Sequence, residues 1–195
     1  MRATRALIHL DNLRENITQI RERVSPQVKM CIAVKADAYG HGAVECARVA
    51  EECGADFLAI ATVDEGIELR KAGIKTPLLM LSLCAPEEVK SAVENDITPL
   101  VFDEEYASYF NDACRSLGRK NYAVHLAVDT GMGRIGCLPE EASSVAKKIA
   151  DFDFLTLGGM CTHFAVSDSL QKEDIEYTQK QFNLFKSAID RKSVV

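Results

Sequence analysis

The sequence predicts an α/β protein built on a parallel sheet, in which strands and helices alternate along the chain. Two observations carry this prediction. Runs such as 57–62 (FLAIAT) and 77–82 (PLLMLS) are apolar almost throughout, which is typical of parallel strands covered on both faces. Amphipathic helical segments separate these runs at regular intervals, with short connections. This alternation predicts βαβ units, which assemble into either a doubly wound sheet or a TIM barrel.

The predicted elements begin with a run that lies outside the repeat. Residues 6–10 (ALIHL) form it, and we expect an extra N-terminal strand there. Six strand–helix units then follow, from Met30 to about Asp190. The predicted strands are 30–35, 57–62, 77–82, 97–102, 122–129 and 155–163, and the predicted helices are 11–24, 42–53, 63–72, 86–94, 103–117, 139–150 and 170–190.

Helix-terminus residues support several of these boundaries. Asp11 and Asp103 stand where a side chain can cap the first turn of a helix. Pro86 and Pro139 occupy positions that accept proline in a first turn, and Gly118 stands where a helix should end.

The number of units is too small for a closed barrel. A complete barrel has eight units and typically about 250 residues, whereas this chain has 195. Six units predict either an open sheet or part of a longer protein. No Ser/Pro/Gly-rich linker interrupts the pattern, so we expect one domain over residues 1–195.

Composition excludes several classes of protein. The net charge is −6 and Lys and Arg form no block, which argues against a nucleic acid or an anionic membrane as partner. No apolar run is long enough for a signal peptide or a membrane span. The seven cysteines form no Cys-x-x-Cys motif, so we expect reduced thiols in a cytoplasmic protein and no metal site.

Lys35 ends the predicted strand 30–35 and is followed by a loop punctuated by glycines, ADAYGHG. Both parallel architectures bind ligands at the carboxyl ends of strands. A lysine at an apolar rim loses solvation, which favours a neutral amine able to form a Schiff base with a carbonyl. The alternative interpretation is a strand-end lysine without a functional role, whose amine reaches solvent. Tyr39 and His41, placed between glycines, favour the functional interpretation.

The segment GMGRIG, residues 131–136, matches G-x-G-x-x-G and follows a predicted strand, so a dinucleotide site is one interpretation. Two observations disfavour it. Pro139 places the helix start beyond the motif, and the next strand ends at His163 without an acidic residue to bind a ribose. We favour a loop whose glycines make room around Arg134, a guanidinium able to bind an anionic oxygen. His163 is predicted at the same edge.

With these residues in view, the chain resembles the bacterial alanine racemases. The resemblance implies an N-terminal TIM barrel, here incomplete with about six βα units, followed in the family by a C-terminal β-domain. It also implies a cytoplasmic, PLP-dependent homodimer that interconverts L-alanine and D-alanine and supplies D-alanine for peptidoglycan. The segments that carry it occur in the family's order: 4–17 (TRALIHLDNLRENI), 33–42 (AVKADAYGHG), 78–82 (LLMLS), 129–136 (DTGMGRIG) and 161–165 (CTHFA).

The same resemblance implies a role for each candidate residue. Lys35 binds pyridoxal 5′-phosphate (PLP) covalently and is one catalytic base. Tyr39 contacts the cofactor phosphate, Leu81 packs against the cofactor, and His163 lies beside its pyridine ring. Arg134 contacts the phenolic oxygen of the cofactor and the carboxylate of the amino-acid substrate.

The chain departs from the family in two ways. Ala127 stands where many members have a lysine that can be carbamylated and orients the arginine, so we expect Arg134 to find another anionic partner or to be held less firmly. Family members are also nearly twice as long. The second catalytic base, a tyrosine of the partner subunit's C-terminal domain, lies outside this chain, so we expect a partial, inactive form.

Other functions stay open at the level of sequence. A non-enzymatic PLP-binding barrel for cofactor homeostasis also ends an early strand on a PLP lysine, although the loop at 39–42 and the DTGMGR segment favour the racemase. An oxidoreductase that uses GMGRIG is disfavoured for the reasons above. The sequence does not decide between alanine and serine as substrate.

Overall fold

The computed structural model describes residues 4–192, and the chain divides into two compact units. The first unit runs up to Leu81 and includes Asn95–Ile97, while the second contains Ser82–Glu94 and the chain from Thr98 onward. In each unit every strand is parallel to the neighbours it pairs with. The prediction of an α/β protein with parallel strands is therefore confirmed.

The first unit has three strands that pair in chain order, with Cys31 opposite Phe57 and Leu58 opposite Leu78. The third strand is buried throughout. A side chain at Gly66 would overlap those of Ile97 and Ile60, so the helix that contains Gly66 packs directly on the sheet. The elements are α1 (Leu10–Arg23), β1 (Cys31–Ala33), α2 (Lys35–Gly40), α3 (Ala43–Glu52), β2 (Phe57–Ile60), α4 (Val63–Lys71) and β3 (Leu78–Met80).

The second unit repeats this architecture. Its core centres on Phe110, which is fully buried and contacts the rings of Tyr106 and Tyr122 at centroid distances of 5.5 and 6.3 Å. The elements are a 3-10 turn (Pro86–Glu88), α5 (Val89–Glu94), β4 (Ile97–Val101, of which Thr98 onward belongs to this unit), α6 (Glu104–Leu117), β5 (Tyr122–Ala127), α7 (Ala142–Ala150), β6 (Leu155–Cys161) and α8 (Lys172–Lys192).

The six predicted strand–helix units are confirmed, because each of the six strands is followed along the chain by a helix of at least one turn. Several boundaries follow from local chemistry. The Asp103 carboxylate accepts a hydrogen bond from the Tyr106 amide at 2.7 Å and caps α6, and Gly118 ends that helix with φ of 66°. Pro86 opens the 3-10 turn, as predicted.

The predicted N-terminal strand, residues 6–10, does not form. Residues 4–9 have no regular secondary structure, their side chains are exposed, and none of the described strands pairs with them. A strand needs a partner for its backbone groups, and the hydrophobic pattern of the segment cannot supply one. Helix α1 begins instead at Leu10, so Asp11 lies within its first turn and does not cap it.

Pro139 also lies outside a helix. It falls in the turn before α7, which begins at Ala142.

None of the helices between Leu10 and Lys192 has the length and apolar character to cross a membrane. The seven cysteines, all within the described residues, form no disulfide. Burial raises the pKa of the Cys114 and Cys137 thiols to about 11, so both are protonated at neutral pH.

Candidate active site

Lys35 begins α2, a single turn whose backbone is left-handed. The predicted strand 30–35 extends two residues past the end of β1, because β1 ends at Ala33 and Lys35 opens this turn. The four residues that follow, Ala36 to Tyr39, have φ between 50° and 55°. L-residues visit this region singly, at roughly 1–2 kcal/mol each. Backbone strain of this kind persists only where the surroundings enforce it, and it concentrates at functional sites.

The Glu65 carboxylate is one part of those surroundings. Its Oε1 accepts a hydrogen bond from the Ala36 amide at 2.7 Å, and its Oε2 accepts one from the Ala61 amide at 2.6 Å. Glu65 also forms a capping box with Thr62, whose Oγ1 accepts from the Glu65 amide at 3.2 Å. One carboxylate therefore ties the turn after β1 to the turn after β2.

Further hydrogen bonds close the loop on its other side. The Asp37 carboxylate accepts from the Ala43 amide at 2.7 Å, and His41 Nδ1 donates to the Ala38 carbonyl at 2.9 Å. His41 is thus engaged in holding the turn. Gly40 and Gly42 have φ of 83° and 91° with open space around them, so they are required for backbone conformation and not for close packing.

Lys35 and Tyr39 are brought together by the turn. Lys35 Nζ lies 6.0 Å from the centroid of the Tyr39 ring. Lys35 is half-buried, whereas Tyr39 is 64% exposed. Within the described part of the first unit, neither the Lys35 amine nor the Tyr39 hydroxyl has a hydrogen bond or an ion pair, so both groups can engage a ligand.

The same edge of the first unit holds Leu81. It follows β3, is half-buried, and its amide donates to the Ile60 carbonyl at 2.8 Å. A mainly apolar pocket of about 450 Å³ opens beside the left-handed turn, and its lining includes Val34, Ala38 and Tyr39. Its volume is within the range of small-molecule sites.

Arg134 lies in the second unit, in the loop between β5 and α7. The Asp129 carboxylate organises this loop by accepting from the Gly131 and Gly133 amides at 2.9 and 3.0 Å. Burial alone would raise the pKa of Asp129, but these amides and that of Met132 outweigh it and lower the pKa. The stabilisation is therefore present above the ordinary aspartate pKa and is lost as pH falls through the lowered value.

Loop geometry explains the glycines of GMGRIG. Gly131, Gly133 and Gly136 all have positive φ, and a side chain at Gly136 would overlap the backbone of Val128 and Asp129. The motif ends six residues before α7 begins at Ala142. It therefore lacks the arrangement in which a dinucleotide fingerprint opens a helix.

The Arg134 side chain is exposed and lines a pocket of about 330 Å³ with Leu83 and Phe102, at the carboxyl ends of the strands. Ala127, which stands at the position of the expected lysine, is buried at 2% exposure. Among the described residues of the second unit, no carboxylate pairs with Arg134. Within this unit the loop therefore positions the backbone of Arg134, and no ion pair holds its guanidinium.

His163 follows β6 by two residues and is exposed. Because β5 and β6 are parallel neighbours, His163 and the Arg134 loop lie at the same edge of the second unit. Gly158 and Gly159 of β6 are explained by packing against His125. A Cβ at Gly159 would lie 2.9 to 3.2 Å from ring atoms of His125, so the glycines make room for that ring.

Replacing Glu65 with glutamine should loosen the left-handed turn, because an amide NH₂ would then face backbone N–H groups. We expect a loss of about 1–3 kcal/mol in the free energy of unfolding, and faster amide exchange over residues 36–42. Chemical denaturation and hydrogen-exchange mass spectrometry measure these effects. Glu68→Gln, exposed one turn along the same helix, is the matched control. Equal behaviour of the two variants would contradict the role given to Glu65.

Comparison with known proteins decides the family. The model for "Alanine racemase, N-terminal domain" matches residues 8–194. The chain belongs to this family. It is 50% identical over 189 residues to the alanine racemase of Treponema denticola, a match that covers 97% of this chain and 50% of the relative. The alanine racemase of Treponema pallidum subsp. pallidum is 40% identical over 183 residues, which cover 93% and 48% of the two chains.

Solved alanine racemases have the same fold. The Clostridium difficile 630 enzyme in complex with cycloserine superposes with a TM-score of 0.89 at 42% identity, over 94% of this chain and 50% of that one. The Bacillus anthracis enzyme with bound L-Ala-P gives a TM-score of 0.84 at 35% identity, over 94% and 47%. The predicted fold, an incomplete TIM-type barrel, is confirmed. The chain spans about half the length of these alanine racemases.

Sequence reasoning missed the residues that hold the candidate site residues in place. Glu65 was detectable as the last residue of a T-x-x-E capping box, although its bond to Ala36 was not. Asp37 offered no signal beyond a polar residue in a loop. Gln181, a fully buried amide on α8, offered none either, because a glutamine in an amphipathic helix is ordinarily exposed.

Proposed function

We propose that this chain is the cofactor-binding N-terminal part of a PLP-dependent alanine racemase, with Lys35 as the residue that binds the cofactor covalently. One observation carries the proposal: an amine without a partner in its unit stands at the carboxyl end of β1, at the start of an enforced left-handed turn. The similarity to alanine racemases of 40% and 50% identity supports it.

The residues at this edge of the first unit fit the chemical groups of PLP. The Lys35 amine suits the aldehyde, and the exposed Tyr39 hydroxyl can donate to a phosphate oxygen. Leu81 offers an apolar side chain to the ring. When bound, PLP supplies an electron sink for negative charge at the substrate α-carbon.

The second unit supplies groups for the substrate and the ring. The Arg134 guanidinium can donate two parallel N–H bonds to a carboxylate, which fixes the orientation of an amino acid. His163, at the same edge, can lie against the pyridine ring. No carboxylate pairs with Arg134 within the described second unit, and the hydrogen bonds of Asp129 fix the backbone of the loop that carries it.

Racemisation requires a proton to leave one face of the α-carbon and another to arrive at the opposite face. Two acid–base groups must therefore stand on opposite sides of the substrate, each within hydrogen-bond reach. In this proposal Lys35 serves one face, and a tyrosine of the partner subunit serves the other. The active form is then a cytoplasmic homodimer whose D-alanine product is supplied to peptidoglycan.

The test is a racemase assay on the natural protein at its full length. It is incubated with PLP and L-alanine, and the enantiomers are separated by chiral chromatography, with L-serine in parallel. We expect D-alanine to accumulate to equal amounts of the two enantiomers. Stoichiometric PLP on Lys35 without conversion of either amino acid would contradict the proposal and favour a cofactor-binding protein.

Arg134→Lys should lower kcat/KM for alanine by roughly 10- to 100-fold, because the point charge of lysine cannot make two parallel bonds to a carboxylate. Steady-state kinetics at constant PLP saturation measures the effect. Arg23→Lys, at an exposed arginine on α1, is the comparison variant and should match the wild type under the same reaction conditions. Unchanged kinetics of Arg134→Lys would show that the residue is a solvated loop arginine.

A further inference from the structure

A buried amide on α8 connects two loops of the second unit. Gln181 has 0% exposure, and its Nε2 donates to the Thr130 hydroxyl and to the His163 carbonyl, each at 3.2 Å. Its Oε1 accepts from the Ala165 amide at 2.9 Å. The Thr130 and Thr162 hydroxyls lie 2.8 Å apart, which closes the network.

The two loops carry different parts of the candidate site. Thr130 belongs to the loop that contains Arg134, and the other loop contains His163. A second residue of α8 contacts the first loop, since the Tyr177 hydroxyl donates to the Gly131 carbonyl at 2.6 Å. Helix α8 therefore contacts both loops through polar groups, although these loops follow two different strands.

The chemistry of Gln181 is specific to this connection. A methionine has nearly the same length and would fill the same space, so packing alone does not require an amide. Burying an amide is unfavourable unless its groups are hydrogen-bonded, and here both N–H groups and the oxygen have partners. Because its two donors serve different loops, loss of the amide releases both loops together.

We propose that Gln181 is a positioning residue that fixes the Arg134 loop relative to the His163 loop. The inference rests on the proposed function for the roles of Arg134 and His163, whereas the connection between the loops does not depend on it. Gln181 touches neither cofactor nor substrate and acts only through the two loops.

The test uses Gln181→Met in the natural protein at its full length, without added cofactor. Hydrogen-exchange mass spectrometry should show at least tenfold faster exchange in both 129–136 and 161–165, with β5 unchanged. With PLP, kcat should fall at least tenfold at temperatures where circular dichroism shows a folded protein. The control is Gln179→Met, an exposed glutamine on the same helix that donates to Asn183, and it should match the wild type.

A second variant covers the case in which Gln181→Met does not fold. Thr130→Val keeps the Gln181 amide and its bonds to His163 and Ala165 but removes its partner in the Arg134 loop, so the largest increase in exchange should be in 129–136. Unchanged exchange in both loops, or uniformly faster exchange across the unit, would overturn the proposal. The expected exchange pattern in a protein that does not racemise alanine would support the positioning role and refute the proposed function.

Discussion

Lys35→Ala is expected to abolish racemase activity in the natural protein, with a loss of roughly a thousandfold or more, because the proposed function assigns to one amine both the binding of the cofactor and the transfer of the α-proton. The guanidinium of Arg134 and the apolar side chain of Leu81 cannot replace a missing nucleophile. Initial rates of D-alanine formation, measured at saturating PLP, give the result. Lys29→Ala is the matched control, since Lys29 is exposed just before the amino end of β1 and Lys35 lies just beyond the carboxyl end.

Covalent labelling tests the same residue without relying on turnover. The wild-type protein is incubated with PLP and treated with borohydride, and the fixed pyridoxyl group is located by mass spectrometry. We expect the label on Lys35 and not on Lys29. Label spread over several surface lysines, with none preferred, would remove the basis of the cofactor assignment.

The 195-residue polypeptide, produced alone and supplied with PLP, is expected to form no D-alanine above the rate with free PLP. Two acid–base groups must face opposite sides of the substrate, and Lys35 can serve only one. The Tyr39 ring lies 6.0 Å from the Lys35 amine, but the proposed role of its hydroxyl is to bind the cofactor phosphate. The chain spans about half the length of the alanine racemases it matches, and the proposed function places the second group outside it.

The strands support this expectation. Within the described residues β1 pairs only with β2, and β6 only with β5, while Cys31 and Ala33 of β1 are exposed. Unpaired strand edges favour association with another chain. Size-exclusion chromatography should therefore show oligomers or aggregates of the polypeptide. Sustained D-alanine formation by a monomer would contradict the prediction and require a second base within these residues.

Much of the fold could be predicted because its signals are local. Apolar runs and caps such as Asp103 place each strand and helix within a few residues. The prediction of an N-terminal strand was wrong, because a strand needs a pairing partner and residues 6–10 do not specify one. The left-handed turn was out of reach for the same reason: Ala36 and Ala38 have no preference for positive φ, and Glu65, far along the chain, supplies part of the restraint.

The candidate site divides in the same way, into residues recognisable from local sequence and residues that depend on distant contacts. Lys35 and Tyr39 are recognisable because their chemistry is unusual at the end of an apolar strand, and the structure places them together. Gln181 is not recognisable, because its burial depends on two loops that precede it, with Thr130 51 residues and His163 18 residues earlier in the sequence. Residues that bind can be inferred from type and pattern, whereas residues that position others depend on contacts between distant segments.

The left-handed turn can form only after its supports exist. Its four non-glycine residues together cost roughly 4–8 kcal/mol, and the bonds that offset this cost come from later segments. The Ala59 carbonyl accepts from the Val34 amide at 2.9 Å, and Glu65 accepts from the Ala36 amide at 2.7 Å. During synthesis, a nascent chain that has emerged only as far as Gly42 therefore displays Lys35 on an unconstrained segment. Under the proposed function, Lys35 is therefore placed for the cofactor aldehyde only once β2 and the first turn of α4 have left the ribosome, so cofactor binding follows synthesis of the second strand.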